Sequence, residues 1–170
     1  MKAVAALIVA IVALSPAAAR AETIDFGWLA EKFQLHCAAV FLDEESFHID
    51  LAPEETGFET IEEPRHPGEL WSNGDIQLSY ISAGQAPAGV PAPQCRMTAD
   101  VAGSFDHLAS VGALNRQLSI SGGSTSGKAM RNRTIWSYAN EAGTPLKLFF
   151  DSRPQGAGFW VSLTIMNVKD

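Results

Sequence analysis

Two cysteines, Cys37 and Cys95, constrain this chain more than any other pair of residues. The first lies in FGWLAEKFQLHCAAVF, Phe26 to Phe41, where Phe26, Leu29, Ala30, Phe33, Cys37, Val40 and Phe41 recur at helical spacing. Such spacing makes one apolar stripe of an α-helix, with Glu31, Lys32 and Gln34 on the other side and Asp25 as the N-cap. Cys37 therefore points inward, while His36 beside it is expected on a different side. The second cysteine opens Cys95-Arg96-Met97-Thr98-Ala99-Asp100-Val101, which alternates as a strand with Cys95, Met97, Ala99 and Val101 on one face. A helix pinned by its inner face to a distant strand can organise a small domain. Closing that loop is worth about 4 kcal/mol on the chain-entropy account.

The pair is expected to be bonded because of where the chain is directed. MKAVAALIVAIVALSPAAARA has one lysine, an apolar run from Ala3 to Leu14, and Ala19-Arg20-Ala21 as a small-x-small cleavage pattern. It reads as a signal peptide over residues 1–21, leaving a single α+β domain over 22–170. The run is short of the roughly 20 residues that span a bilayer, so no stable membrane anchor is expected. A periplasmic or secreted protein meets an oxidising environment, where two cysteines pair.

Charge narrows the partners. The chain has 19 acidic and 12 Lys or Arg residues, and the excess is uneven. From Glu22 to Cys95 there are 14 acids and 2 bases, and from Arg96 onward 5 acids and 8 bases. An acidic protein is a poor ligand for nucleic acid, whose phosphates need a basic surface. Leu42 to Pro67 is the most acidic stretch, with nine Asp or Glu and Arg65 as its one Arg or Lys. Glu54, Glu55, Glu62 and Glu63 in it are candidates to dock a basic protein, against the plainer reading of a solvated surface. The D-x-D-x-D-G spacing of a calcium loop is absent.

Further along, Glu69-Leu70-Trp71-Ser72 and Asp75 to Ile81 read as two strands around Asn73-Gly74, a pair suited to a type I′ turn. Ala83 to Pro93 is a Pro/Gly/Ala loop. Ser104 is expected to cap a second helix from Phe105 to about Leu118. Ser119 to Arg133 reads as a flexible Gly/Ser-rich loop, and Thr134–Ala139, Leu146–Ser152 and Phe159–Val168 as the last strands. The halves resemble one another: FxxLAxxF at Phe26 and FxxLAxxG at Phe105, Leu70-Trp71-Ser72 and Ile135-Trp136-Ser137. The expected fold is α+β, two α-β-β-β units from an internal duplication, forming one antiparallel sheet with two helices on one face.

Sequence motifs for catalysis are thin, and no catalytic residue, metal ligand or cofactor is assigned. Gly122 to Ala129, GGSTSGKA, approaches the phosphate loop GxxxxGK[ST], but Ala129 lacks the hydroxyl that would hold magnesium. Lys128, Arg131 and Arg133 remain candidates to bind an anionic group weakly. There is no G-x-S-x-G or S-x-x-K, and none of His36, His48, His66 and His107 has zinc-ligand spacing. Phe149-Phe150 and Phe159-Trp160 are adjacent pairs whose members face opposite ways on a strand, so one ring of each, Trp160 among them, is expected on the face that the helices leave uncovered. These features favour a binding or interaction module, an inhibitor of a basic enzyme being one form. The alternatives are a carrier of a small apolar ligand and, behind that, an enzyme with a scattered site.

Overall fold

The computed structural model describes residues 25–42, 53–128, 130–140 and 142–168. Residues 1–21, expected to be a signal peptide, and the acids of the 43–52 stretch lie outside the described residues, as does the side chain of Lys128. The expected mixed α+β architecture is present: one antiparallel sheet of eight strands, packed with helices.

The first helical run begins at α1 (Phe26–Phe33), where the Asp25 carboxylate accepts from the Gly27 N–H at 3.0 Å. It continues through a π-helical turn, Gln34–Ala38, into the short α2 (Ala39–Leu42). Leu29, Ala30, Phe33, Cys37 and Phe41 are buried as the stripe requires. His36 faces Thr56 and Phe58 while Cys37 faces the sheet, so the two point to different sides as expected, and His36 is buried too. The wider turn carries an extra residue, so His36, Cys37 and Ala38 are all buried in succession.

The strands are β1 (Glu59–Thr60), β2 (Glu69–Ser72), β3 (Ile76–Ile81), β4 (Gln94–Ala102), β5 (Ser124–Lys128), β6 (Arg131–Ala139), β7 (Pro145–Gln155) and β8 (Gly158–Asn167). Their order is β1-β2-β3-β4-β8-β7-β6-β5, each neighbouring pair antiparallel. Each half thus contributes four strands, not three. Strand β1 is only two residues long, and β5 lies in the Gly/Ser-rich stretch expected to be a loop. That stretch instead forms a hairpin with β6, Ser124 opposite Ile135 and Lys128 opposite Arg131. Gly123 enters it against the Trp136 indole, where a side chain would collide.

Two further corrections are local. The second helix, α3 (His107–Gln117), is capped by Asp106, whose carboxylate accepts from Leu108 and Ala109 at 2.9 and 3.1 Å. Ser104 and Phe105 lie before it, and Phe105 packs on Phe26 and Phe150. The Asn73-Gly74 turn is not type I′, since Gly74 has positive φ and Asn73 does not. Asn73 Oδ1 instead accepts from the Ile76 N–H at 3.1 Å.

Alternation and register divide the side chains of the sheet into two sets. Cys95, Met97, Ala99 and Val101 on β4 pair with Ile165, Leu163, Val161 and Phe159 on β8. The same parity continues to Leu148 and Phe150 on β7, Trp136 and Thr134 on β6, and Leu78 and Tyr80 on β3. Burying this apolar set supplies most of the folding drive. The disulfide joins Cys37 to Cys95 within it, as expected, with Cα atoms 5.4 Å apart. Phe26 meets Phe150 at 5.2 Å between ring centroids, and Trp136 Nε1 donates to Asn115 of α3 at 2.9 Å.

Candidate functional site

The opposite parity of the same strands carries arginine, hydroxyl and aromatic residues. Arg96 on β4, Arg131 and Arg133 on β6, Asp151 and Arg153 on β7, and Trp160 and Ser162 on β8 all belong to it. Four arginines thus share one face of a chain whose formal net charge is −7.

Asp151, buried, is the acceptor that fixes two of them. Arg133 donates from Nε and Nη2 to its two carboxylate oxygens at 2.8 and 2.9 Å. Arg131 donates from the same two nitrogens to Oδ1 at 3.3 and 3.1 Å. A bidentate grip fixes the plane of a guanidinium as well as its position. The hydrogen bond from Asp151 also raises the Arg133 pKa above its ordinary value. Arg133 further lies over the Phe149 ring at 5.6 Å.

Arg96 and Arg153 are held differently. Their guanidinium carbons lie 5.6 and 4.7 Å from the Trp160 ring centroid, within cation–π range. Arg96 Nε donates to Ser162 Oγ at 3.0 Å. Among the described residues the two ion pairs both belong to Asp151, so neither Arg96 nor Arg153 has a carboxylate partner. Arg96 as a whole stays exposed, yet its head group is partly desolvated, and that burial lowers its pKa. The charges of Arg131 and Arg153 push the same way, and Asp151 opposes them.

A cavity of about 390 Å³ lies on this face, with Arg96, Arg131, Arg133 and Asp151 at its polar side and Ile81, Phe149 and Met166 at its apolar side. A neighbour of about 280 Å³ shares His66, Ser79 and Arg96 with it and adds Glu63 and Trp160. Beyond that, a hollow of about 520 Å³ is edged by Glu62, Glu63 and Glu69. That hollow shares Glu63 and Leu70 with the second cavity and none of its lining with the first, so the acids sit at the β1–β2 margin.

The structure thus brings Arg131, Arg133 and Trp160 to one face. Lys128 pairs through its backbone with Arg131 at the far edge strand. Glu55, Glu62 and Glu63 are exposed at the other margin. Glu54 is committed locally: its Oε1 accepts from Thr60 Oγ1 at 2.6 Å and Trp71 Nε1 at 2.9 Å. The Thr60 bond, first among its causes, lowers the Glu54 pKa. Arg96, Asp151 and Arg153 carry no local motif that marks them as a site. Their alternation with buried neighbours places them on the second face, but only the strand order gathers them.

Among the described residues, two buried histidines lie elsewhere. His107 has Nδ1 2.8 Å from Ser152 Oγ and Nε2 2.9 Å from Thr134 Oγ1, and it stacks on Phe150 at 4.4 Å. Ser152 is 1% exposed, so this is a tether between α3 and the sheet, not a nucleophile within reach of substrate. His36 Nε2 meets Thr56 Oγ1 at 2.8 Å.

Among the described residues no group of three His, Cys, Asp or Glu is placed to hold a metal ion, and no helix is long and apolar enough to cross a membrane. No protein-family model, curated protein or solved structure matches this chain.

Proposed function

We propose that this is an exported binding protein and that the arginine face of its sheet recognises an anionic ligand. The observation that carries the reading is geometric: Arg96, Arg131 and Arg133 gather around one cavity, and Arg96 has no carboxylate partner among the described residues. Like charges gathered on one face repel one another unless an opposite charge offsets them. A ligand anion would do so, and Asp151 already holds two further guanidiniums beside it.

The reading includes an architecture in which both helices cover the apolar face and leave the arginine face open. The contacts described above from Cys37, Phe26, His107 and Asn115 all fall on strand residues of one parity, which supports it. An internal duplication fits too. The sheet order is mirrored about the β4–β8 pair, and Trp71 and Trp136 hold matching places in β2 and β6. Each indole donates to a side chain from the segment preceding its own strands, Glu54 and Asn115. Export is supported by the leader-like sequence and by the disulfide.

Fluorescence of Trp160 tests the reading. Benzoate and phenyl phosphate are expected to change the emission saturably, and Trp160→Phe to abolish the change. Benzyl alcohol and benzylamine should be silent. A response to those two alone would contradict an anion site. The acidic margin supports a second reading, docking of a basic protein, on the exposure of Glu55, Glu62 and Glu63.

A further inference from the structure

We infer that the anion taken by the arginine groove is a phosphate monoester, its phosphoryl group among Arg96, Arg131 and Arg133 and its organic part against Phe149, Met166 and Ile81. This rests on the anion-binding reading and adds the charge and shape of the ligand.

Charge is the first argument. Three guanidiniums and one carboxylate line this cavity, a formal surplus of two positive charges with His66 counted neutral. A phosphate monoester carries about −1.5 to −2 at pH 7. A carboxylate or a sulfate monoester carries about one negative charge and leaves part of the surplus uncompensated.

Donor geometry is the second. A guanidinium has five N–H donors. Arg131 and Arg133 each commit Nε and Nη2 to Asp151, and Arg96 commits Nε to Ser162. The remaining donors belong to three separate guanidiniums, with the hydroxyls of Ser79 and Thr164 on the same cavity. A planar carboxylate is satisfied by one fork, whereas a tetrahedral group presents three oxygens in different directions.

Size and surroundings exclude a long polyanion. The cavity, about 390 Å³, lies in the range of small-molecule sites. The adjoining cavity, which shares His66, Ser79 and Arg96 with this one, carries Glu63, which would repel a polymer of phosphates running on from the site. The apolar side suits the organic part of one small ester. Free inorganic phosphate shares the head-group chemistry and is separated from the ester by that part.

Isothermal titration of the disulfide-bonded protein at low salt and pH 7.5, with phenyl phosphate, phenyl sulfate and inorganic phosphate, tests this. Phenyl phosphate is expected to bind about tenfold more tightly than either of the others and to weaken several-fold at pH 5.5, where the ester is mostly monoanionic. Arg96→Gln and, separately, Arg131→Gln should each weaken it at least fivefold with circular dichroism unchanged. Equal affinity for phenyl sulfate, with both ligands weakened by Arg96→Gln, overturns the phosphate assignment and leaves the anion site standing. Inorganic phosphate as tight as the ester overturns the organic half. Unchanged affinity in both arginine variants overturns the site, and no binding of any of the three at millimolar concentration overturns both readings.

Discussion

Arg133 on β6 and Asp151 on β7 face one another across a cross-strand pair, and the guanidinium grips both carboxylate oxygens, at 2.8 and 2.9 Å. Their Cα atoms are register partners, so strand pairing already does much of the positioning, and the ion pair adds orientation. Because the Arg133 side chain is 41% exposed and that of Asp151 8%, the pair is half screened by water. A double-mutant cycle with Arg133→Gln and Asp151→Asn is expected to give a coupling of about 1 kcal/mol in urea denaturation. Arg133→Lys should not restore it, since an ammonium cannot form the two-point grip. Zero coupling would mean the pair is ornamental to stability.

The disulfide should behave as a constraint on the unfolded chain. Cys37 is 0% and Cys95 1% exposed, so reductant reaches them only when the region opens. Replacing both with serine is expected to cost about 2–4 kcal/mol, read from the urea midpoint. The same loss should appear in the parent protein once it is unfolded, reduced and refolded in reductant. A midpoint unchanged by the double substitution contradicts this.

Burial lowers the pKa of His107, although the charges of Asp151 and Asp106 raise it. Burial also lowers that of His36, with Lys32 adding to the shift. In the unfolded chain each returns toward its ordinary value of 6.5. A folded pKa below the unfolded one leaves stability whole above about that value and erodes it as pH falls toward the folded pKa, because the unfolded state takes up the proton first. Stability should therefore decline from pH 7 to 5, and the decline should shrink in His107→Gln measured against its own pH 7 value. A slope unaltered by His107→Gln and by His36→Gln would place the acid sensitivity elsewhere.

At the acidic margin the four candidate glutamates separate. Glu54→Ala removes the acceptor of Thr60 and Trp71, so thermal denaturation should show a lower Tm. The triple variant Glu55→Gln, Glu62→Gln, Glu63→Gln should leave Tm nearly unchanged, since exposed carboxylates without partners contribute little. If this margin docks a basic protein, the triple variant should slow association at low salt and flatten its salt dependence. Equal rates at low salt would leave it a solvated surface.

What could be read in the sequence was whatever announces itself locally. The stripe around Cys37, the alternation around Cys95 and the patterns behind the six expected strands each repeat an apolar residue at the period of their element. Strand β5 has no such signal, because Ser124, Thr125, Ser126 and Gly127 are exposed and offer no apolar alternation. The π-turn was illegible for another reason: helical spacing in the sequence assumes a constant period, and the turn changes it at His36. Asp106 is hidden as a cap because Phe105 extends the apolar pattern of the helix by two residues, yet packs on Phe26 and Phe150 from the segment before it. The arginine face is the larger loss. Arg96, Arg133 and Asp151 come from three strands, and only the placement of β8 between β4 and β7 brings them together.

The central claim, that the arginine face is the binding surface, is tested most directly by mapping backbone amide shifts as phenyl phosphate is titrated into isotope-labelled protein. The largest saturable shifts are expected at Ser79, Arg96, Arg131, Arg133, Asp151 and Ser162, with α3 and the buried residues of the apolar face little affected. Shifts confined to α1, α3 or the acidic margin, or none that saturate, would contradict the account.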